Sequence, residues 1–179
     1  MIDKIDVFLS RGDNEYRVGE LTKSQRRIRF EWDLDFKNGK YGNFDISPVV
    51  MKINNPDEVV YGPNDTNKGL HGIFADSLPD GWGQSLMDRF FESNNIRRQN
   101  INPIDRLSYI GERAMGALIY RPSSGSDADI SDEIDLSKLA AEANEIYEGR
   151  SNEVLKELRL AGGSPGGARP KVLVGVSDD

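Results

Sequence analysis

Residues Arg27–Trp32 (RIRFEW) alternate without a break: Ile28, Phe30 and Trp32 fall on one face, Arg27, Arg29 and Glu31 on the other. A period of two over six residues fits only an extended strand with one face buried and one face wet. Such a strand needs neighbours, and the flanking sequence supplies them. Ile5–Leu9 (IDVFL) is a short apolar run, Arg11-Gly12-Asp13-Asn14 carries turn chemistry, and Tyr16–Leu21 (YRVGEL) reads as the returning strand. Phe44–Ile53 contains Pro48, which restricts it to an edge strand or a loop. The first third of the chain is therefore expected to be a small twisted antiparallel sheet.

From about Gly69 the period changes. Leu70, Phe74 and Leu78, then Trp82, Leu86, Phe90 and Phe91, recur at three-to-four spacing and predict two helices. Pro79-Asp80-Gly81 separates them, with Asp80 placed to cap a second helix running from Gly81 to about Asn94. Pro103–Ile110 reads as a short helix ended by Gly111, and Met115–Arg121 as a strand stopped by Pro122. Ser123–Asp132 is small, polar and acidic, the composition of a linker. Asp135–Tyr147 predicts a further helix, Asn152–Leu158 a shorter helical or extended segment, and the last residues a strand, a Gly-rich loop and a strand. The expected fold is α+β: a small antiparallel sheet with packed helices over residues 1–122, a linker at 123–132, and a separate element from 133 to 179.

Composition narrows the function. The 179 residues hold no cysteine and one histidine, His71, so disulfides, thiolate chemistry, Cys-based zinc sites and HExxH motifs are all excluded. A net charge of −7 argues against direct nucleic-acid binding by this chain, because phosphate neutralisation needs clustered Lys and Arg. No apolar run approaches the ~18 residues that span a bilayer. The first residues include acids and lack an apolar signal core, so the expected location is the cytoplasm.

One segment invites a chemical reading. Gly162–Lys171 (GGSPGGARPK) holds four glycines in six residues, followed by Arg169 and Lys171. Glycines let successive backbone N–H groups converge on an anion, and the two cations stand beside those amides. Without GK[ST] and a following helix this is neither a Walker A loop nor a dinucleotide fingerprint. A Gly-rich flap between antiparallel strands is how protein kinases cover ATP phosphates; the plainer alternative is a hairpin loop with incidental basic residues. Other candidates favour structural roles. His71 reads as a packed or capping residue. Asp76, Asp80 and Asp88 could suggest a metal but fit capping and ion pairing better. Trp82, Phe90 and Phe91 fit a core better than a base-stacking platform, and Arg26-Arg27 and Arg97-Arg98 are too short for a nucleic-acid patch.

Four segments, taken together and in order, resemble the HipA family of serine/threonine kinase toxins: Tyr16–Thr22 (YRVGELT), Ile73–Arg89 (IFADSLPDGWGQSLMDR), Pro103–Pro122 (PIDRLSYIGERAMGALIYRP) and Ser164–Lys171 (SPGGARPK). The resemblance implies that residues 133–179 begin a kinase-like N-lobe. It implies that Gly163, Gly166, Gly167, Ala168, Arg169 and Lys171 hold nucleotide phosphates, and that Ser164 is an autophosphorylation site. It further implies ATP and Mg²⁺ as cofactors of the complete kinase, a HipB-like helix-turn-helix antitoxin as partner, and an aminoacyl-tRNA synthetase as substrate, the glutamyl enzyme in the best-known members. The family's catalytic Asp and metal-binding residues follow the Gly-rich loop, and the eight residues after Lys171 do not contain them. The expectation is an inactive portion of a longer kinase. The alternative is a naturally short, antitoxin-like module that restrains a partner kinase.

Overall fold

The computed structural model describes residues 2–24, 27–42, 45–47, 49, 51–53, 59–122 and 136–150. Its sheet grows from a hairpin. Strand β1 (Lys4–Arg11) turns through Gly12, at φ +61°, and returns as β2 (Asn14–Ser24). The register slips once: Val7 faces Gly19 while Phe8 faces Arg17. The residue left over is Val18, which is fully buried, so the bulge adds an extra apolar side chain to the core. Strand β3 (Arg27–Trp32) pairs with β2, β4 (Val59–Tyr61) with β3, and β5 (Leu118–Arg121) with β1. The result is an antiparallel five-stranded sheet of order β4-β3-β2-β1-β5.

Its inner face carries the core. Ile5 and Val7 from β1, Leu21 from β2, Phe30 and Trp32 from β3 and Tyr120 from β5 are buried there, as the β3 alternation required. Phe30 occupies a socket made by Gly19: a Cβ on Gly19 would lie 2.6 Å from the Phe30 ring and 2.3 Å from the Glu31 carbonyl oxygen. The Phe30 ring then reaches Trp32 at 5.1 Å and Phe74 at 5.0 Å between centroids. Asp33 stops β3 and caps α1 (Leu34–Lys37), accepting from Phe36 N at 3.1 Å, and buried Phe36 stacks on Trp32.

Two elements close this layer. Helix α2 (Gly72–Ala75) inserts Phe74, and α4 (Pro103–Ile110) inserts Ile104 and Leu107. Helix α4 opens on a reciprocal capping box: Asp105 N donates to Asn102 Oδ1 at 3.0 Å and Asn102 N to Asp105 Oδ2 at 2.9 Å. The same two side chains hold the start of the chain, Asp105 Oδ1 accepting from Ile2 N and Asn102 Nδ2 donating to Ile2 O. The Tyr120 hydroxyl donates to Ser77 Oγ at 2.7 Å and the Ser108 hydroxyl to the Pro122 carbonyl at 2.6 Å.

The chain forms two compact units, Met1–Leu78 with Asn102–Ser126, and Pro79–Ile101 with Asp127–Asp179. In the second, α3 (Gly81–Ser93) starts at Asp80, whose carboxylate accepts from Gly83 N, and buries Trp82, Leu86, Met87 and Phe91. Helix α5 (Leu136–Tyr147) buries Ala143 and Ile146, and Arg89 Nη2 donates to the Ile146 carbonyl at 3.2 Å.

Several expectations shift. The helix before Pro79 is only Gly72–Ala75, because Asn67, Lys68 and Gly69 all take positive φ and fold the preceding residues into a 3₁₀ turn. The strand expected from Met115 starts at Leu118, after Gly116 at φ +96°. Within Phe44–Ile53 the described residues contain one isolated bridge, Ser47 to Met51. The linker Ser123–Asp132, the segment Asn152–Leu158 and the Gly-rich end lie outside the described residues; of the expected kinase-like N-lobe, residues 133–179, only 136–150 are described, and they hold helix α5.

The socket yields a test. Gly19→Ala should destabilise the chain by about 1–3 kcal/mol, because the new methyl meets backbone and a ring already at close packing. Urea unfolding of the two proteins measures it, and an unchanged midpoint would show that β2 and β3 can part at no cost.

Candidate functional site

Of the segments with functional promise, three lie in described residues. Tyr16–Thr22 falls within β2, Ile73–Arg89 runs from α2 into α3, and Pro103–Pro122 comprises α4 and β5. The Leu78-Pro79-Asp80 break between α2 and α3 has a physical origin. Pro79 cannot continue a helix, and Asp80 at once starts another by capping Gly83 N at 3.5 Å. The phosphate-loop residues Gly163, Ser164, Gly166, Gly167, Ala168, Arg169 and Lys171 lie outside the described residues.

The aspartates separate into three tasks. Asp76 ends α2, Asp80 caps α3, and Asp88 pairs with Arg98 Nε at 3.0 Å. Among the described residues no group of three or more metal-ligating side chains comes together. Trp82 and Phe91 are buried, and the Phe90 ring packs edge-on to Phe91 at 5.7 Å, which is core packing rather than an open stacking platform. Arg98 is spent on Asp88 and Glu92.

His71 has an unusual setting for a titratable group. It sits just before α2, is 9% exposed, and leaves Nε2 buried with no hydrogen-bond partner. Burial pushes the imidazole below its ordinary value, while a hydrogen bond with the Tyr61 backbone works the other way. Gly62 N donates to Ile28 O, so Tyr61 stands one residue out of the β3 hydrogen-bonding phase and its own backbone groups face the open edge of β4. His71 thus covers part of a sheet edge. Burial, not that contact, favours the neutral imidazole, and the edge-covering task explains a lone histidine better than general-base chemistry, which needs a positioned partner.

The outer face of the sheet is a lattice of ion pairs. Arg17 bridges Asp6 at 2.6 Å and Asp33 at 2.9 Å, Lys4 pairs with Glu20, and Arg121 holds Glu15 at 2.7 Å together with Glu112. Arg121 also lies over the Phe8 ring at 5.0 Å. Glu20 is part-buried, which raises its pKa, but hydrogen bonds from Lys4 and Thr22 bring it below the ordinary value. No helix among the described residues is long and apolar enough to cross a membrane.

Residues 6–121 match the family of the HipA N-terminal domain. The chain belongs to that family. The matched stretch contains β2, the Pro79 break and α4, and stops one residue before Pro122. No curated protein and no solved structure matches the chain significantly. As a HipA N-terminal domain protein it carries the first three of the four segments within the matched stretch, while the fourth, Ser164–Lys171, follows it in sequence.

His71 makes stability pH-dependent in a defined window. Its folded value lies below the ordinary 6.5, so stability is complete above that value and is lost as the pH falls through it, when the unfolded chain takes up the proton first. Glu20 acts in the same direction but only below its ordinary 4.5. Urea midpoints at about pH 7.5 and about pH 5.5 should differ, and the difference should shrink in His71→Gln. An equal difference in both proteins would contradict the buried, neutral imidazole.

Proposed function

We propose that this chain is the N-terminal portion of a HipA-like serine/threonine protein kinase toxin of a type II toxin–antitoxin system. In this reading residues 1–122 are the N-terminal subdomain and a partner-binding surface, 123–132 a linker, and 133–179 the opening of the kinase N-lobe. The observation that carries it is order: the family match over residues 6–121 is followed, at 162–171, by a glycine-rich loop ending in Arg169 and Lys171.

The chemistry of that loop suits a polyphosphate. Amides of Gly163, Gly166, Gly167 and Ala168 can donate to phosphate oxygens, and Arg169 and Lys171 supply the charge that such oxygens require. The loop offers no carboxylate, so Mg²⁺ would be held by the phosphates and by residues outside it. When bound, ATP would supply the transferred phosphoryl group; this chain's part is to grip and orient the phosphates. Ser164, inside the loop, fits a regulatory phosphate acceptor: a phosphoserine there carries about −1.5 to −2 charge and competes for the same amides and cations. The partner in this reading is a HipB-like helix-turn-helix antitoxin, and the substrate of the complete kinase is an aminoacyl-tRNA synthetase. The work is done in the cytoplasm.

Co-expression with a helix-turn-helix protein encoded beside its gene tests the partner. A complex surviving size exclusion, with a Kd of about 1 μM or tighter by calorimetry, is expected. No heat at ~100 μM of either protein would remove the antitoxin from the account. Purified alone with labelled ATP and Mg²⁺, the 179 residues should transfer no phosphate to a generic acceptor, and turnover lost in Lys171→Ala would contradict this.

A further inference from the structure

The ion-pair lattice on the outer face of the sheet breaks at one corner. Arg27, Arg29 and Tyr61 share that face at the β3–β4 edge, with Arg29 directly opposite Tyr61 and Arg27 opposite Ser24. Arg17, Lys4 and Arg121 on the same face each hold a carboxylate at short range. Arg27 instead donates to the Gly62 carbonyl at 3.2 Å and lies over the Tyr61 ring at 4.7 Å, with no carboxylate partner among the described residues. Among the described residues Arg29 reaches only the carboxylate of Glu31, at 4.0 Å, and its Nε is buried without an acceptor. Tyr61 is 49% exposed. In a chain of net charge −7, two under-compensated guanidinium groups beside an exposed aromatic ring form a local cationic patch.

We propose that this corner docks an acidic segment of a partner protein, in extended conformation and with carboxylates at every second residue. The spacing argues for it. Arg27 and Arg29 are two apart on a strand and so project from the same face about 6.5–7 Å apart, the repeat with which alternate residues of an extended peptide recur. Each guanidinium keeps N–H donors in a planar fork that suits a carboxylate. Tyr61, already stacked by Arg27, offers ring area and a hydroxyl beside them. The overall negative charge disfavours a long polyphosphate, whose repulsion grows with every phosphate beyond the patch, whereas a segment with two or three carboxylates meets mainly the patch. This inference stands apart from the kinase reading and survives its failure.

The test is a titration of the ¹⁵N-labelled full chain with a capped Glu-Thr-Glu-Thr-Glu peptide at low salt, following arginine Nε–H and backbone signals. The signals of Arg27, Arg29 and Tyr61 should shift together and saturate, those of Arg17 and Arg121 should stay, and a Gln-Thr-Gln-Thr-Gln peptide should shift none. Arg27→Gln combined with Arg29→Gln should weaken binding about fivefold or more, with the melting temperature as a check on folding. The proposal is overturned by silence at the corner up to ~10 mM peptide, or by equal shifts at Arg17 and Arg121. Tighter binding of a short DNA duplex to the same residues, or self-association of the chain through them, would overturn it too.

Discussion

The seating of the Phe30 ring on Gly19 is the contact on which the first unit depends. A strand glycine usually weakens a sheet, since it costs backbone entropy and packs nothing. Here the missing side chain is the function of the residue: it lets the ring lie against the backbone of β2 and reach Trp32 and Phe74. Through Phe74 the sheet is joined to α2, and through Trp32 to Phe36 and α1. Each aromatic contact of this kind adds about 0.5–1.5 kcal/mol beyond its burial, so a socket that aligns several contributes on the scale of a domain's net stability.

Polar contacts complete what packing leaves open. Asn102 and Asp105 satisfy the start of α4 and the backbone of Ile2 with the same two side chains, tying residues a hundred positions apart. Buried polar groups of this sort specify one arrangement, because any alternative leaves donors unpaired. On the wet side of the sheet, paired charges are individually worth little, but they set where the surface is electrically neutral and where it is not. The match to the HipA N-terminal domain therefore describes a stretch in which core, caps and surface charges follow local rules.

Much of this was readable in order of residues. The alternation of Arg27–Trp32 gives β3 with its true bounds and its buried face, and Pro103 with Gly111 brackets α4. Strand β4 carries no such signal: Val59–Tyr61 is three residues long, too short for a period, and is a strand only because β3 has an open edge. Periodicity makes α2 too long because Leu70 is buried from a loop, where depth rather than period decides. The Val18 bulge was invisible, since one extra residue in a strand leaves no mark on composition. His71 is buried just before α2, in keeping with a packed residue, but the Tyr61 backbone group it meets is one that pattern does not reveal. The segment 162–171 stands out in sequence through its glycines and two cations, and it lies outside the described residues.

The central claim is that these glycine amides, following a HipA N-terminal fold, grip the phosphates of ATP. Amide hydrogen exchange read by mass spectrometry, with and without Mg²⁺–ATP in large excess, tests it at the residues concerned. The account predicts slowed exchange in peptides covering Gly162–Lys171, an effect lost when Arg169 and Lys171 are both replaced by alanine. Exchange at 162–171 unchanged by nucleotide, in a chain whose sheet remains protected, would contradict it.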